Sequence, residues 1–299
     1  MIQASGLVKK FDDYAALDQL DFSIQDASVY GLVGTNGAGK STLLRTISGI
    51  YRADTGMVSL DGVNVYEDVT IKSKIFLVAD DLYFLPGATL TDMSKFYSGI
   101  YPSWSWEKFE KLSKAFPIHP KKKINTFSKG MKRQTAIILA LSVQPDLLLL
   151  DEAFDGLDPV VRVAVRKLIA DEVASRGMTV IISSHNLREL EDLCDHIAIL
   201  HQGKLLLEKE LDDLKLGFCK IQAAFKPAID LAALSEITIL HSESQGSVIN
   251  MIVKGNRDEV VPYLETFKPL VLDCVPLTLE EVFIHEMEVV GYDYNNILF

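Results

Sequence analysis

A glycine-rich loop constrains this chain more than any other part of its sequence. An apolar run, Val29–Val33, predicts a buried strand before the loop, and residues 43–47 predict a helix after it. A strand, a glycine loop that ends in Lys-Ser and a helix form a phosphate-binding P-loop, in which backbone N–H groups and the helix N-terminus converge on a polyphosphate. The sequence therefore predicts a nucleotide site made of Gly34, Thr35, Asn36, Gly37, Ala38, Gly39, Lys40, Ser41 and Thr42.

Within such a loop, two side chains have specific tasks. Lys40 is expected to reach the β- and γ-phosphates, and the Ser41 hydroxyl is expected to ligate Mg²⁺. Two aromatic residues upstream, Phe11 and Tyr14, are candidates to stack on the base, and packing in the core is the alternative for either residue. We take Phe11 as the candidate base contact.

Length, charge and cysteine usage limit the class of protein. With 299 residues, the chain can form one large α/β domain and a smaller domain. The net charge of −11 argues against general nucleic-acid binding, which usually requires a basic surface. The N-terminus lacks a signal-peptide pattern, no apolar run approaches the length of a membrane span, and the three cysteines lack CxxC spacing. We expect a cytoplasmic protein with reduced thiols, which contacts a membrane only through a partner.

The order of apolar runs predicts an α/β fold with a mainly parallel sheet. Helical periodicity interrupts the strands between residues 89 and 143, with Thr91 or Asp92, Ser105 and Ser128 as candidate helix caps, and predicts an inserted helical subdomain at about residues 86–145. After residue 217 the motifs stop. Short strands and helices, two of them at 258–267 and 278–288, predict a small C-terminal α+β domain over 218–299, which leaves 1–217 as the nucleotide-binding domain.

Several further elements follow the P-loop in the order and spacing of the ATP-binding cassette (ABC) family, and residues 1–215 resemble the ATPase subunit of an ABC transporter. Leu147–Asp151 resembles the Walker B strand, whose terminal Asp151 would hold Mg²⁺ beside Ser41. Glu152 would orient the attacking water. Asp158 resembles the D-loop aspartate of the nucleotide site, and His185, directly after a predicted strand, resembles the switch histidine that contacts the γ-phosphate.

The segment 127–131 resembles the family signature Leu-Ser-Gly-Gly-Gln and keeps Ser128 and Gly130. Ser128 would cap a helix whose N-terminus faces the γ-phosphate of ATP bound to the other subunit. Lys129 and Met131 depart from the signature; the lysine either adds positive charge near the phosphates or points to solvent, and we favour solvent. A second departure is Asp80, which stands where the family has a glutamine, so the resemblance carries a Mg²⁺ or water contact over to Asp80.

The helical block also holds an aromatic cluster. These residues either form the core of the block or line an apolar socket for a cytoplasmic helix of a membrane subunit. The block and the signature segment most resemble the drug- or bacitracin-exporter branch of the family. The cluster consists of Tyr97, Tyr101, Trp104, Trp106 and Phe109.

The resemblance implies an ABC-type P-loop NTPase that binds ATP and Mg²⁺ and hydrolyses ATP to ADP and phosphate, with Lys40, Glu152 and His185 as catalytic residues. It implies two partners: an integral membrane permease that receives the work, with export as the favoured direction, and a second copy of this chain or a related ATPase subunit. The protein would then lie at the inner face of the cell membrane, with no nucleic-acid partner.

Two other classes compete with this interpretation. A soluble ABC ATPase that acts on DNA or ribosomes usually has two cassettes in one chain or a long coiled-coil insert, and this sequence shows neither. A P-loop kinase or GTPase does not explain Ser128, Asp158 and His185 together. We therefore favour the transporter ATPase.

Overall fold

The computed structural model describes residues 1–227, 229–275, 277–282 and 284. The chain divides into two compact units, Met1–Glu208 and Lys209–Phe299. This division precedes the boundary that we placed after residue 217. The reason is a short helix, Leu211–Leu216, which buries Leu211 and Leu214 and packs on the strand that follows it.

The first unit is built from two sheets and the helices that connect their strands. The predicted α/β class is confirmed, and the strands predicted at Val29–Val33 and Leu147–Asp151 have the predicted bounds. The elements in chain order are β1 (Ile2–Phe11), β2 (Tyr14–Ile24), β3 (Val29–Val33), α1 (Lys40–Ile47), β4 (Thr55–Leu60), β5 (Val63–Asn64), α2 (Val69–Lys72), β6 (Ile75–Val78), α3 (Leu90–Ser98), α4 (Trp106–Ala115), α5 (Lys129–Val143), β7 (Leu147–Asp151), α6 (Pro159–Arg176), β8 (Thr179–Ser184), α7 (Leu187–Glu191), β9 (His196–His201) and β10 (Lys204–Glu210).

A six-stranded sheet positions the predicted site. Its strand order is β10-β9-β3-β8-β7-β6, and β9, β3, β8, β7 and β6 pair in parallel. All five residues of β7 are buried, which explains the unbroken apolar run Leu147–Leu150, since a central parallel strand is covered on both faces. Val33 pairs with Ser184, and Asp151 pairs with Ser183. The P-loop, Asp151 with Glu152, and His185 therefore lie at strand ends along the same edge of the sheet.

An antiparallel sheet with the order β2-β1-β4-β5 lies on the other side of the core. Apolar residues of both sheets and of α1 form one buried cluster, so the P-loop helix is fixed from two sides. Leu44 of α1 has no exposed surface, and Leu149 of β7 has none either. This packing gives the loop before α1 a rigid support.

The helical insert consists of α3, α4, a 3₁₀ turn at Ile124–Thr126, and α5. Ser105 caps α4 and Ser128 caps α5, as predicted. The cap predicted for the first helix is wrong. Thr89 caps α3, and Asp92 is the third helical residue, whose carboxylate accepts from the Thr89 N–H in a reciprocal capping box.

The second unit contains a four-stranded antiparallel sheet in the residues that the structure describes, with the order β12 (Thr238–Gln245), β13 (Val248–Lys254), β11 (Phe218–Ala224) and β14 (Val271–Val275). The helix Arg257–Glu265 packs on it over a separate apolar core. Part of the helix predicted at 278–288 is observed, since 279–282 and 284 are helical, whereas 285–288 lie outside the described residues. The elements are α8 (Leu211–Leu216), β11 (Phe218–Ala224), β12 (Thr238–Gln245), β13 (Val248–Lys254), α9 (Arg257–Glu265) and β14 (Val271–Val275).

Two chain-wide properties bear on the sequence analysis. Throughout the described residues, every helix is too short or too polar to traverse a lipid bilayer. Cys194, Cys219 and Cys274 are free thiols. Burial, with a smaller contribution from Asp195, raises the pKa of the Cys194 thiol, so this group stays protonated at neutral pH.

Candidate functional site

A cleft of about 490 Å³ opens at the carboxyl edge of the parallel sheet. It brings together groups from three strand ends: the P-loop after β3, Asp80 after β6 and Glu152 after β7. Ligand sites in open α/β sheets form at such strand ends. The lining consists of Phe11, Tyr14, Ala16, every residue from 35 to 42, Asp80 and Glu152.

The P-loop requires glycine at two positions where other backbone lies close to it. A Cβ atom on Gly34 would lie 2.3 Å from the Leu200 carbonyl oxygen, and one on Gly39 would lie 2.5 Å from that of Ala16. Gly39 also has φ of +111°. Gly39 stands at the N-cap of α1 without a side chain, so the first N–H groups of α1 are left for an anion.

The Lys40 side chain is held inside the cleft. It is 6% exposed, and its Nζ donates to the carbonyl oxygens of Gly34 at 2.6 Å and Thr35 at 3.3 Å. The same Nζ lies 3.4 Å from Glu152 Oε1. The ammonium is therefore fixed between the P-loop backbone and the acid that follows β7, where it can pair with a phosphate oxygen.

Glu152 connects the P-loop lysine to the predicted switch histidine. Its Oε2 lies 2.9 Å from Nδ1 of His185, whose side chain is 52% exposed. Its backbone has φ of +48°, in the left-handed region that non-glycine residues rarely occupy. The Glu152 N–H bonds to the carbonyl and hydroxyl oxygens of Ser183, both at 3.2 Å, and these bonds hold the strained backbone in place. The structure thus brings Lys40, Glu152 and His185 together as predicted from the sequence.

The chemistry of the donor set fits Mg²⁺. Asp151 is 1% exposed, and its Oδ1 accepts from the Ser183 hydroxyl at 2.6 Å, which fixes the orientation of the carboxylate. The Ser41 hydroxyl lies in the cleft lining together with Asp80. Carboxylate and hydroxyl oxygens are the hard ligands that Mg²⁺ prefers, and it usually takes only one or two carboxylates beside phosphates.

Asp80 makes a contact that the sequence analysis did not anticipate. Its Oδ1 accepts from Arg133 at 2.5 Å, and Arg133 is fully buried in α5. The sequence carries no signal for this contact, because Arg133 stands between Lys132 and Gln134 in the polar first turns of α5. Asp80 therefore lies in the cleft as expected, but with a cationic neighbour.

Six predicted residues are not among those that line this cleft in the part of the chain that the structure describes. Gly34, Asp151 and His185 each adjoin or bond to a lining residue. The other three are Ser128, Gly130 and Asp158. Ser128 accepts from the Met131 N–H at 3.2 Å and caps α5. A Cβ atom on Gly130 would lie 2.5 Å from the Gly156 carbonyl oxygen, so the signature backbone contacts the D-loop of its own chain. Asp158 Oδ1 accepts from the N–H groups of residues 160 and 161 and caps α6.

A set of buried polar groups holds the turn that carries His185. The Ser184 hydroxyl donates to Glu189 Oε2 at 3.0 Å and accepts from the Asn186 N–H. The other carboxylate oxygen of Glu189 pairs with Arg162 of α6 at 3.1 Å. These positioning groups could not be predicted, because nothing in the sequence indicates which polar residues meet.

The two aromatic candidates at the cleft are both accessible. Phe11 is 42% exposed, and its ring packs edge-on against Tyr51 with centroids 5.4 Å apart. The Tyr14 hydroxyl donates to the Gly37 carbonyl oxygen at 3.1 Å, so Tyr14 supports the P-loop. The Lys9 ammonium lies over the Phe11 ring, 5.4 Å from its centroid, and the exposed part of the ring at the cleft is what Phe11 can offer to a base.

A second depression, which we call the groove, lies between β6 and the helical insert. It has a volume of about 420 Å³ and is lined by apolar side chains of β6, α3 and α5, with Tyr83 and Ile50 at 75% and 58% exposure. Tyr97 and Tyr101 line it, and burial, with a smaller contribution from Tyr97, raises the pKa of Tyr101 to about 12. The remaining aromatic residues of the predicted cluster form a separate group, Trp104, Trp106 and Phe109, in which Phe109 is buried.

Comparisons with known proteins agree with this geometry. A family model described as "ABC transporter" matches residues 17–155, and one described as "AAA domain, putative AbiEii toxin, Type IV TA system" matches 120–191. The ABC transporter ATP-binding protein YtrB of Bacillus subtilis (strain 168) is 33% identical over 284 residues, which cover 95% of this chain and 97% of YtrB.

Two further proteins are similar over about three quarters of the chain. The bacitracin transport ATP-binding protein BcrA of Bacillus licheniformis is 33% identical over 222 residues, 72% of this chain and 71% of BcrA. A solved structure of the ATP-binding subunit of an ABC transporter superposes with a TM-score of 0.67 at 26% identity, and the match covers 72% of this chain and 92% of that one.

Proposed function

Since the chain belongs to the family of ABC transporter ATP-binding subunits and is an ATPase, we propose that it hydrolyses ATP in the P-loop cleft and drives a separate membrane permease. The observation that carries the site assignment is the double pairing of Glu152, with Lys40 at 3.4 Å and with His185 at 2.9 Å. A phosphate-binding cation and a water-activating acid thus lie in the cleft, and the γ-phosphate sensor contacts that acid. The alternative of a soluble ABC ATPase that acts on nucleic acid or ribosomes is not favoured by these relatives.

Each side chain of the cleft then has a defined task. The N–H groups of the P-loop and Lys40 bind the phosphates, and Phe11 stacks on the base. Ser41 and Asp151, with Asp80 nearby, would hold Mg²⁺, which would supply positive charge beside the phosphate oxygens. Glu152 orients the attacking water and accepts its proton, and the His185 imidazole, anchored to Glu152 through Nδ1, bonds the γ-phosphate.

The second half of each site comes from another subunit. Ser128 and Gly130 mark the N-terminus of α5 and lie outside the cleft of their own chain among the described residues. A helix N-terminus attracts phosphate only where it can face one. We assign Ser128, Gly130 and Asp158 to the site of a partner cassette, so that ATP joins two copies of this chain.

The groove is the proposed contact with the permease. Its walls are apolar and aromatic, and exposed Tyr83 and Ile50 lie at its rim. Large exposed apolar surface of this kind indicates a protein partner, and an amphipathic helix is the element that fits a groove between helices and a strand. The permease would hold the protein at the membrane. We propose export as the direction, as in the exporter branch that residues 127–131 resemble.

Mixing two inactive variants tests the shared site. Lys40→Ala removes the phosphate contact, and Ser128→Arg blocks the signature. A mixed dimer has one site with both lesions and one intact site, so ATPase activity returns on mixing if the signature acts in trans. Each variant alone is the control. Persistent inactivity of mixed dimers, proved to form by affinity-tag pull-down, contradicts the sharing of sites provided that a wild-type/Lys40→Ala dimer retains activity.

A further inference from the structure

Helix α5 carries an arginine whose guanidinium is enclosed by protein. Arg133 has no exposed surface. One terminal nitrogen donates to the Ala79 carbonyl oxygen at 3.0 Å, and the other donates to Asp80 Oδ1 at 2.5 Å. The guanidinium thus binds two successive residues just beyond the end of β6. Its Nε has no hydrogen-bond partner among the described residues.

Asp80 faces the nucleotide cleft with the rest of its side chain. The side chain is 54% exposed and lines the cleft together with Lys40 and Ser41. Oδ1 is bound to Arg133, whereas Oδ2 makes no hydrogen bond or ion pair to any described residue. One carboxylate oxygen is therefore committed to α5, and the other is available in the cleft.

This pair does not separate easily. If Asp80 swung away, the buried Arg133 would keep a single neutral acceptor, the Ala79 carbonyl oxygen, and an uncompensated charge in the interior is strongly unfavourable. The attraction of Asp80 to a cation in the cleft does not remove this cost, because Oδ2 can meet that cation while Oδ1 stays on Arg133. Asp80 and α5 should therefore move together.

The other end of the same helix is the signature. Ser128 caps α5 five residues before Arg133, which is about 7 Å along the helix axis at 1.5 Å per residue. A displacement of Asp80 that follows the contents of the cleft is thus passed to the helix N-terminus through a short rigid segment.

We propose that Arg133 is a positioning residue that acts through Asp80 and ties the orientation of α5 to the occupancy of the nucleotide cleft in the same chain. This inference rests on the proposed function of the cleft. It also accounts for the substitution at position 80. An aspartate is shorter than the glutamine of the family and carries a charge, and Arg133 supplies both the missing length and the compensating charge.

The first test concerns the pair itself. Asp80→Asn leaves the Arg133 charge buried without its anion, and Arg133→Met removes that charge with a side chain of similar length. The double variant should recover at least about half of the loss in Tm caused by Asp80→Asn alone, as coupled residues do in a double-mutant cycle. Additive losses of Tm would show that the two residues do not act as a pair and would overturn the proposal.

The second test measures the hydrogen-exchange protection of α5 rather than the ATPase activity. Amide hydrogen exchange of residues 129–136 is measured in a Glu152→Gln background with ATP plus EDTA and with ATP plus Mg²⁺, at a concentration where light scattering shows monomers. We expect Mg²⁺ to change this exchange by about threefold or more, and to have no such effect once Arg133→Met is added. If Arg133 had only a structural role, the Arg133→Met substitution would not abolish the response to Mg²⁺.

Lys132→Met is the matched control, because it removes a cation from the same helix that makes no ion pair among the described residues. This control should keep the Mg²⁺ response. The proposal is overturned if the exchange of the Arg133→Met variant responds to Mg²⁺ as that of the control does. It is also overturned if the Glu152→Gln protein binds ATP but shows no change in exchange when Mg²⁺ is added. Loss of ATP binding by the Glu152→Gln background would instead contradict the proposed function of the cleft.

Discussion

The nucleotide cleft and the groove lie on two sides of the same strand end, and they differ in how their walls are held. Asp80 lines the cleft, and its neighbour Asp81 lines the groove. In the cleft, Lys40 and Glu152 each have several polar partners, so their positions are set before a ligand arrives. In the groove, the walls are aromatic and aliphatic and offer few polar contacts: Phe76, Val78 and Leu139 are buried at its base, whereas Tyr83 and Ile50 are exposed.

This difference assigns two kinds of work to two regions. A pre-organised polar cleft suits a reaction in which charge develops at fixed positions. An apolar groove suits reversible contact with another protein, because its stabilisation comes from surface removed from water. The end of β6 contributes to both regions, through Asp80 in the cleft and Asp81 in the groove. Coupling between ATP hydrolysis and movement of the partner can therefore pass through these two adjacent residues.

The largest expected effect is a change in the cleft. Glu152→Gln keeps the shape of the side chain but removes the base, so hydrolysis should fall by about 10²- to 10⁴-fold. ATP binding should persist, and the ATP-bound dimer should accumulate because product is not formed. Phosphate release and size-exclusion chromatography measure the two results.

The control for this change lies in the insert. Glu110 is exposed on α4, with its carboxylate 4.0 Å from Lys114, so Glu110→Gln should leave turnover unchanged. Turnover of Glu152→Gln within twofold of wild type would remove Glu152 from the role of base. The polar cleft would then not supply the catalytic base through Glu152.

A change in the groove should affect the partner and not the reaction. Tyr83→Ser removes an exposed aromatic side chain from the rim, and its association with permease-containing membranes should weaken by about 2 kcal/mol if Tyr83 is a central contact. Sedimentation with native membranes measures the association. ATPase activity of the isolated protein should stay within about twofold, because Tyr83 makes no contact in the cleft.

Val63→Ser is the matched control for this test. Val63 is also an exposed apolar residue, at 42%, but it lies in β5 and does not line the groove. Equal weakening by both variants would indicate general loss of surface hydrophobicity. Undiminished sedimentation of Tyr83→Ser would place the permease contact elsewhere.

The sequence predicts the cleft far better than the groove, and the reason is physical. Phosphate binding needs a backbone shape and a few fixed side chains, and this need leaves contiguous motifs such as residues 34–42. The bounds of β7 and α6 also follow from local signals, an unbroken apolar run and a proline at the helix start.

Contacts between residues distant in sequence leave no such signal. Arg133 meets Asp80 across 53 positions, and Glu189 meets Arg162 across two helices. The cap of α3 was misplaced for a different reason: Thr89, Thr91 and Asp92 all have capping side chains, and only the backbone conformation selects Thr89. The division at Glu208 likewise depends on which unit buries Leu211 and Leu214.

A smaller effect is expected where the insert is joined to the catalytic half. Glu172 of α6 pairs with Lys108 of α4 and with Arg176, whose Nε lies 2.7 Å from its carboxylate. Burial raises the pKa of Glu172, but the hydrogen bonds from Lys108 and Arg176 outweigh burial and lower it below its usual 4.5. Glu172→Gln should lower the free energy of unfolding by about 1.5 kcal/mol at pH 7.

The pH dependence of this difference has a defined sign. Because the pKa is lower in the folded state, the stabilisation is complete above the unfolded value, near 4.5, and is lost as the pH falls through the folded value. Urea denaturation of wild type and Glu172→Gln at several pH values should therefore converge below about pH 4.5. A constant difference down to pH 3 would show that packing, and not charge, joins α4 to α6.

The smallest effect is expected at Lys129, the first residue of α5. Its side chain is 67% exposed, and its Nζ lies 3.9 Å from Asp155 Oδ2. Exposed pairs of this kind contribute about 0–1 kcal/mol and are weakened by salt, so Lys129→Gln should change both Tm and kcat little, with kcat within about threefold. Measurements at low and high salt should agree for the variant and differ slightly for wild type. A fall in kcat of more than about tenfold, a barrier increase of 1.4 kcal/mol, would mean that this lysine reaches the phosphates of the partner site, and the interpretation that it points to solvent would be wrong.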